Sequence, residues 1–200
     1  SSYHVGMAAK YPLEKLLHKP VEVALASEFR YCEPLVSEHT LAIVISQSGE
    51  TIDTLTAMRE AKRLGARVLS IVNVVGSTIA RESDDVIYTW AGPEIAVATT
   101  KAYSTQLAVT YLIGLAFAQM MGTIEKEEYE AIVNELQLLP EKLQKVLEQR
   151  EAIQYFASLY FNHSSIFFIG RHLDYAVGME GSLKLKEISY IHSEAYAAGE

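Results

Sequence analysis

A six-residue polar segment, SQSGET at residues 46–51, carries the side chains of this sequence that are best suited to binding a ligand. Hydroxyl groups stand at Ser46, Ser48 and Thr51, and each can donate a hydrogen bond. Gly49 can adopt a positive φ angle and lets the backbone pass close to a ligand. Hydroxyls and free backbone N–H groups gathered at the start of a helix favour an anion, most simply a phosphate.

The same residues also fit a simpler structural interpretation. Serine and threonine before a helix are common N-caps, and Glu50 or Thr51 could serve only in that way. Three hydroxyls and a glycine within six residues, directly after an apolar run, favour the phosphate interpretation. Ligands in open α/β sheets bind at the carboxyl ends of the strands, which is where this segment is predicted to lie.

The flanking residues predict the elements that position the segment. The apolar run 41–45 predicts a strand buried on both faces, as in a parallel sheet. Apolar residues recur after it with helical spacing and end near Gly65, so a helix is predicted there. Further buried strands are predicted at 21–26, 67–72, 85–90 and 166–169, and further helices at 3–18, 79–82, 101–121, 123–150, 151–161 and from 175 onward. This alternation predicts an α/β fold with parallel pairing, and Pro140 is expected to kink or divide the helix over 123–150.

A short internal similarity suggests a duplication. Residues 3–7 read YHVGM and residues 175–179 read YAVGM, so four of five agree, and both segments open a predicted helix. We therefore predict a first domain at 1–122, a helical connector at 123–150 and the start of a second domain at 151–200. The chain is expected to be a piece of a longer protein, with the first copy lacking its leading strand and the second truncated.

A charged cluster lies near the end of the sequence. Glu180, Lys184 and Glu187 fall on one face of a predicted helix. Spacing alone favours a solvated ion-pair ladder, with roughly a few tenths of a kcal/mol per pair. A lysine and a glutamate one turn apart would also suit proton transfer near a sugar phosphate.

Composition narrows the class of protein. Half of the residues are hydrophobic, which is enough for a packed core, and 17 basic against 25 acidic residues give a net charge of −8. This balance argues against nucleic-acid and anionic-membrane partners. Cys32 is the only cysteine, which fits a reducing cytoplasm, and no apolar run reaches membrane length. The six histidines show no metal-ligand spacing, so we expect no metal.

Several segments together resemble a known family. SQSGET resembles the signature of sugar isomerase (SIS) domains. The wider set resembles the isomerase half of the glutamine–fructose-6-phosphate aminotransferases (isomerising), the glucosamine-6-phosphate synthases, and comprises residues 2–4, 73–77, 91–98, 100–103, 181–190 and 194–200.

The resemblance implies both a fold and an activity. The fold would be two tandem SIS domains, each a five-stranded parallel sheet between helices in a three-layer αβα arrangement. The activity would be synthesis of glucosamine 6-phosphate from fructose 6-phosphate and glutamine, with no metal and no organic cofactor. The parent chain would carry a glutaminase domain, and the protein would be a cytoplasmic enzyme, usually a homodimer.

The resemblance also assigns roles to residues. Glu187 matches the base that moves a proton between C1 and C2, and Lys184 matches the lysine beside the reacting end of the sugar. The substrate-binding positions it implies are Ser2, Ser46, Gln47, Ser48, Thr51, Val97 and Thr99.

The sequence departs from the family pattern in three ways. Thr99 replaces the usual serine and keeps its hydroxyl, whereas His172 replaces a glycine and predicts a reshaped turn. The glutaminase domain, a Lys-His-Gly segment and the carboxyl tail of the family are not in this sequence. We therefore expect the 200-residue piece to turn over little or no sugar phosphate.

Two alternative functions share the phosphate segment. One is an SIS deglycase of phosphorylated fructosamines that does not use glutamine, and a glutaminase domain upstream would argue against it. The other is a non-catalytic SIS module that senses sugar phosphates, which predicts an upstream DNA-binding domain and no need for Glu187.

Overall fold

The structure, a computed structural model, describes residues 1–199 of the chain. The chain divides into two compact units, of which the first contains residues 1–15 and 19–113. The elements up to the end of this unit are α1 Ser2–Leu17, α2 Ala26–Phe29, β1 Leu41–Ser46, α3 Ile52–Arg63, β2 Arg67–Val72, α4 Thr78–Glu82, β3 Asp85–Tyr88 and α5 Lys101–Met121, whose last residues belong to the second unit. The predicted alternation of strands and helices is confirmed from β1 onward in this region.

The three strands of the first unit form one parallel sheet in the order β1-β2-β3. Leu41 pairs with Arg67 and Leu69 pairs with Asp85, so consecutive strands are neighbours. The predicted parallel pairing is confirmed. All three carboxyl ends therefore lie at one edge of the sheet, where residues 46–51 follow β1.

Burial differs between the strands because β2 is central and β1 lies at an edge. Residues 68–72 of β2 are all buried, whereas residues 42–45 of β1 are half-buried and Leu41 is exposed. The prediction that the 41–45 strand is buried on both faces is therefore wrong. The apolar run marks the strand correctly, but the sequence does not reveal its position in the sheet.

One face of the sheet packs against α3 and α4. The buried cluster there contains Met58, Val68, Val72, Ile79 and Ala80. Met58 lies on the predicted apolar stripe of α3, and Val68 and Val72 lie on one face of β2 because they are an even number of residues apart. This packing fixes the first turn of α3 relative to the end of β1.

Charged groups tie the far end of α3 to the start of β3. Lys62 Nζ donates to the Glu82 carbonyl and to Asp84 Oδ1, both at 2.7 Å, and Asp84 Oδ2 accepts from the Val68 N–H at 2.8 Å. The hydrogen bond from Lys62, followed by that from the Val68 N–H, lowers the pKa of Asp84. These contacts join α3, α4 and β2.

Residues 21–25 do not form the predicted strand. The loose apolar–polar alternation of this segment has another cause, because the Val23 side chain and the Val21 backbone both contact α1. The Val21 N–H donates to Glu14 Oε1 at 3.0 Å, and Val23 packs so closely on Gly6 that a Cβ there would lie 2.9 Å from it. The short helix α2 follows directly.

The second unit contains residues 16–18 and the chain from 114 onward. Its further elements are α6 Lys126–Gln137, α7 Leu139–Leu147, α8 Arg150–Tyr160, β4 Ser165–Gly170, α9 Leu173–Ser189 and β5 His192–Ala197. The expected division of the 123–150 helix is confirmed, since it breaks at Leu138, with Pro140 in the first turn of α7 where proline is tolerated.

The second unit has a two-stranded parallel sheet, β4-β5. Ser165 pairs with His192 and Gly170 pairs with Ala197. Phe167 and Ile169 of β4 are 54% and 71% exposed, so the prediction of a buried strand at 166–169 is wrong. The described residues thus form sheets of three and two strands, whereas the resemblance implies five in each copy. The repeated segments at 3–7 and 175–179 both lie on helices, α1 and α9. The tandem arrangement and the three-part domain division remain predictions.

Candidate functional site

The loop after β1 is closed by its own serine. Ser46 is the last residue of the strand and is 4% exposed, and its Oγ accepts a hydrogen bond from the Gly49 N–H at 3.1 Å. Gly49 has φ +67°, and a Cβ at this position would lie 2.6 Å from the Ser77 Cβ. Only glycine fits both the backbone angle and the space. The Ser46 hydroxyl proton is not used in this bond and can be donated to a ligand.

The rest of the loop keeps its hydroxyls at the surface. Ser48 Oγ accepts from the Glu50 N–H at 3.2 Å, which leaves its proton available. Thr51 occupies the N-cap position of α3, but its side chain makes no capping hydrogen bond and the residue is exposed. The simple N-cap interpretation therefore does not describe Thr51 in this structure. Its hydroxyl can donate elsewhere.

Three hydrogen bonds join the loop to the segment after β2. The Asn73 N–H donates to the Gln47 carbonyl at 3.1 Å, and the Ile79 N–H donates to the Gly49 carbonyl at 3.0 Å. Glu50 Oε1 accepts from the Thr78 N–H at 2.7 Å. This last bond is the main reason that the pKa of Glu50 is lowered.

Asn73 organises the edge of the sheet beside the loop. Its Nδ2 donates to the Gly92 carbonyl at 2.7 Å, and its Oδ1 accepts from the Thr89 hydroxyl and the Ala91 N–H, both at 2.9 Å. An open cavity of about 420 Å³ lies there, and its lining residues include Gln47, Asn73 and Trp90. Trp90 is 76% exposed and has φ +52°, which is uncommon for a bulky residue.

The other sequence-predicted positions of the first unit lie on three further segments. Ser2, at the start of α1, donates from Oγ to Gln106 Oε1 on α5 at 3.1 Å. Val97 and Thr99 lie between β3 and α5, where Val97 is 96% exposed and Thr99 is half-buried. Within residues 1–199, no hydrogen bond joins Ser2 or Thr99 to the 46–51 loop. The structure thus brings Ser46, Gln47, Ser48 and Thr51 together in one loop.

In the second unit, Lys184 and Glu187 form an ion pair on α9. Lys184 Nζ also lies 3.5 Å from Glu180 Oε1, and Glu180 is buried. The ladder expected from spacing is therefore formed, but it is more buried than a solvated one, with the Lys184 side chain 17% exposed. A carboxylate can accept a proton, and an ammonium can stabilise a negative oxygen, so the pair is also suited to proton transfer.

Two functional features were not predicted from the sequence. Asn73 stands directly after β2, and a polar residue at the carboxyl end of a buried strand is a signal that could have indicated it. The partner of Glu50 could not be found in this way, because Thr78 lies on another element. Across the described residues, no cluster could hold a metal ion, and no helix is long and apolar enough to span a membrane.

Comparison with known proteins gives one family. The sequence pattern described as the SIS domain matches residues 1–116 and 159–200. The chain is 60% identical over 200 residues to a protein of Clostridium tetani and to one of Caldanaerobacter subterraneus, both named glutamine–fructose-6-phosphate aminotransferase [isomerizing]. The match covers the whole chain but 33% of each relative, so the chain spans about a third of their length.

Solved structures show the same fold. The C-terminal domain of glucosamine-fructose-6-phosphate aminotransferase from Francisella tularensis superimposes with a TM-score of 0.97 at 40% identity, covering 100% of this chain and 56% of that one. A protein described as a putative phosphosugar isomerase from Clostridium difficile gives a TM-score of 0.87 at 26% identity, covering 98% and 56%. The α/β fold with parallel sheets is thereby confirmed.

Proposed function

The chain belongs to the SIS domain family, and from that premise we propose that it is the sugar-phosphate isomerase part of an enzyme that makes glucosamine 6-phosphate. The substrates would be fructose 6-phosphate and glutamine. The names of relatives that are 60% identical over the whole chain support this reaction over the deglycase and sensor alternatives.

The observation that carries the proposal is the donor-rich loop at 46–51. Ser46, Ser48 and Thr51 present hydroxyls where α3 begins, and the first N–H groups of that helix have no intrahelical partner. The positive end of the helix dipole favours a phosphate at the same place. Hydrogen bonds to a charged group contribute about 1.5–3 kcal/mol each, so a few of them suffice for binding.

Two of the loop's amides change partner in this proposal. The N–H groups of Gly49 and Glu50 are bound to the hydroxyls of Ser46 and Ser48 in the structure. A bound phosphate would compete for these donors and would also accept the serine hydroxyl protons. The side chain of Gln47 would add a further donor, and Ser2, Val97 and Thr99 would line the sugar.

The proposed chemistry is an amination followed by a proton shift. Ammonia from glutamine condenses with the C2 carbonyl of open-chain fructose 6-phosphate, and water leaves to give an imine. Glu187 then takes a proton from C1 and returns it at C2, while the imine nitrogen gains one proton and the C1 hydroxyl loses one, which yields the 2-amino aldose without any net oxidation. Lys184 would stabilise negative charge at the reacting end of the sugar. A positioned acid–base group contributes about 10²–10⁴-fold to such a step.

The wider assignments rest on the relatives' names and the family resemblance. We propose that the parent chain carries a glutaminase domain, that the protein is a cytoplasmic homodimer, and that neither a metal nor an organic cofactor takes part. The tandem SIS copies at 1–122 and 151–200, with the connector 123–150, belong to the same proposal, except that residue 200 lies outside the described residues.

The test is Ser48→Asp in the full-length protein. The added carboxylate would repel a phosphate in the loop, so we expect binding of fructose 6-phosphate to be lost in calorimetry. The matched control is Ser27→Asp, which places the same charge on exposed α2 of the same unit and should leave the affinity unchanged. Unchanged affinity in the Ser48→Asp variant would refute the assignment.

A further inference from the structure

Glu50 is an unexpected residue in a loop proposed to bind phosphate. Its negative charge would repel an anion held by the neighbouring hydroxyls and amides. In the structure, however, its carboxylate binds the Thr78 N–H at 2.7 Å, at the start of α4. Arg81 on the same helix also lowers the pKa of Glu50 through its charge. The carboxylate is therefore already engaged by α4.

The contact belongs to a larger junction between the loop and α4. The Gly49 carbonyl accepts from the Ile79 N–H at 3.0 Å, one residue beyond the Glu50 contact. Ser77 is 2% exposed and packs so tightly on Gly49 that no side chain fits between them. The loop thus packs against the Ser77–Ile79 turn. Ile79 itself is anchored in the core with Met58 and Val72.

We propose that Glu50 is a positioning residue that fastens the 46–51 loop to the start of α4 and so preorganises its donors for the sugar phosphate. This inference rests on the proposed function of the loop. Glu50 itself does not touch the ligand. Fixing donors before the ligand arrives reduces the entropy lost on binding, and a loosened loop therefore binds more weakly.

The first experiment compares three variants of the full-length protein by calorimetry with glucosamine 6-phosphate. We expect Glu50→Ala to weaken binding about tenfold, since it removes a charge-assisted hydrogen bond. Glu50→Gln keeps an acceptor oxygen and should therefore retain most of the affinity. Because a neutral acceptor is weaker than a charged one, we expect a loss of no more than about threefold. Glu28→Ala removes the same charge from exposed α2 of the same unit and serves as the control, with affinity unchanged.

The second experiment removes the donor of the same hydrogen bond, the Thr78 N–H, and leaves the Glu50 carboxylate in place. Thr78→Pro deletes the N–H that Glu50 binds, and Pro is tolerated at the first position of α4 because Ser77 before it is extended, with φ −60° and ψ 161°. It should weaken binding as much as Glu50→Ala, and the double variant should show no further loss. Thr78→Ser keeps both the N–H and the hydroxyl, whose hydrogen bond also lowers the pKa of Glu50, and should bind normally.

The outcomes separate this inference from the proposed function. Equal or tighter binding by Glu50→Ala, or additive losses in the double variant, would overturn the positioning role while leaving the loop as the phosphate site. Failure of the unaltered protein to bind any sugar phosphate would overturn the proposed function and this inference with it. Parallel, non-additive losses in Glu50→Ala and Thr78→Pro support the role.

Discussion

The β1–α3 and β4–α9 junctions share one layout, a strand followed by a turn and a helix, but their geometries differ. Five residues, 47–51, separate the elements of the first junction, and two residues, 171–172, separate those of the second. The first takes its positive φ at Gly49, whereas the second takes one of +55° at His172. In the second, a Cβ on Gly170 would lie 2.7 Å from the Asp174 backbone, so the turn is tightly closed.

The difference shows that the same strand–helix topology does not give two junctions the same set of hydrogen-bond donors. The first junction is long enough to present the hydroxyls of Ser48 and Thr51 beside that of Ser46 at the end of β1, and a neighbouring turn holds it in place. The second has no hydroxyl in its turn, and the polar groups of its helix stand farther along α9, as the pair Lys184 and Glu187. In our proposal the first region binds and the second carries out proton transfer.

Glu187→Gln should have the largest effect and tests this division of roles directly. The amide cannot accept the C1 proton, so conversion of fructose 6-phosphate with glutamine should fall about 10²–10⁴-fold in the full-length enzyme. Sugar-phosphate affinity should stay nearly the same, because the 46–51 loop is untouched. Asp174→Asn on the same helix is the control, and near-normal product formation by the Glu187→Gln variant would place the base elsewhere.

Gly49→Ala should break the first junction. Its methyl group would overlap the Ser77 side chain, and φ +67° is strained for alanine, so we expect a loss of about 2 kcal/mol in the free energy of unfolding. Sugar-phosphate binding should weaken along with it. Gly76→Ala is the matched control, since φ there is +72° but the space is open, and it should cost only about 1 kcal/mol. Denaturant unfolding and calorimetry measure both effects, and equal costs at the two sites would show that the contact with Ser77 is unimportant.

His172→Gly should have the smallest effect and the opposite sign. Glycine relieves the strain of φ +55° at this position, so the free energy of unfolding should rise by about 1 kcal/mol. The gain is slightly reduced because glycine also increases the conformational freedom of the unfolded chain. The measurement is the change in Tm, compared with Arg171→Gly at the adjacent position, where no positive φ has to be relieved. A lower Tm for the His172→Gly variant would mean that the histidine ring contributes more than its backbone costs.

The sequence predicted those elements whose local pattern agrees with their final contacts. The apolar run that becomes β2 and the helical stripe of α3 are examples. The segment 21–25 shows the opposite case, because Val23 packs on α1, the Val21 N–H is bound by Glu14, and the segment forms no strand. The strand β5 was missed because HSEAYA has no β-branched residue, and its extended form depends on pairing with β4.

The candidate site was predicted from its residue types, whereas the contacts within it were not predicted. Side-chain types indicated the phosphate loop, but Glu50 could be assigned only a possible capping role. Its observed partner, Thr78, lies 28 residues away, and no local pattern encodes that distance. The same holds for the Asn73 side chain, whose three hydrogen bonds reach residues 16–19 positions further along.

The loop at 46–51 contains no lysine or arginine, and this has a consequence for how fast a ligand arrives. A chain with net charge −8 repels a sugar phosphate at long range, and a loop of neutral donors attracts it only on contact. Dissolved salt shortens the reach of that repulsion to about 8 Å at physiological ionic strength. The association rate constant should therefore rise with ionic strength, which is opposite to the behaviour of proteins that capture phosphates with a cationic surface.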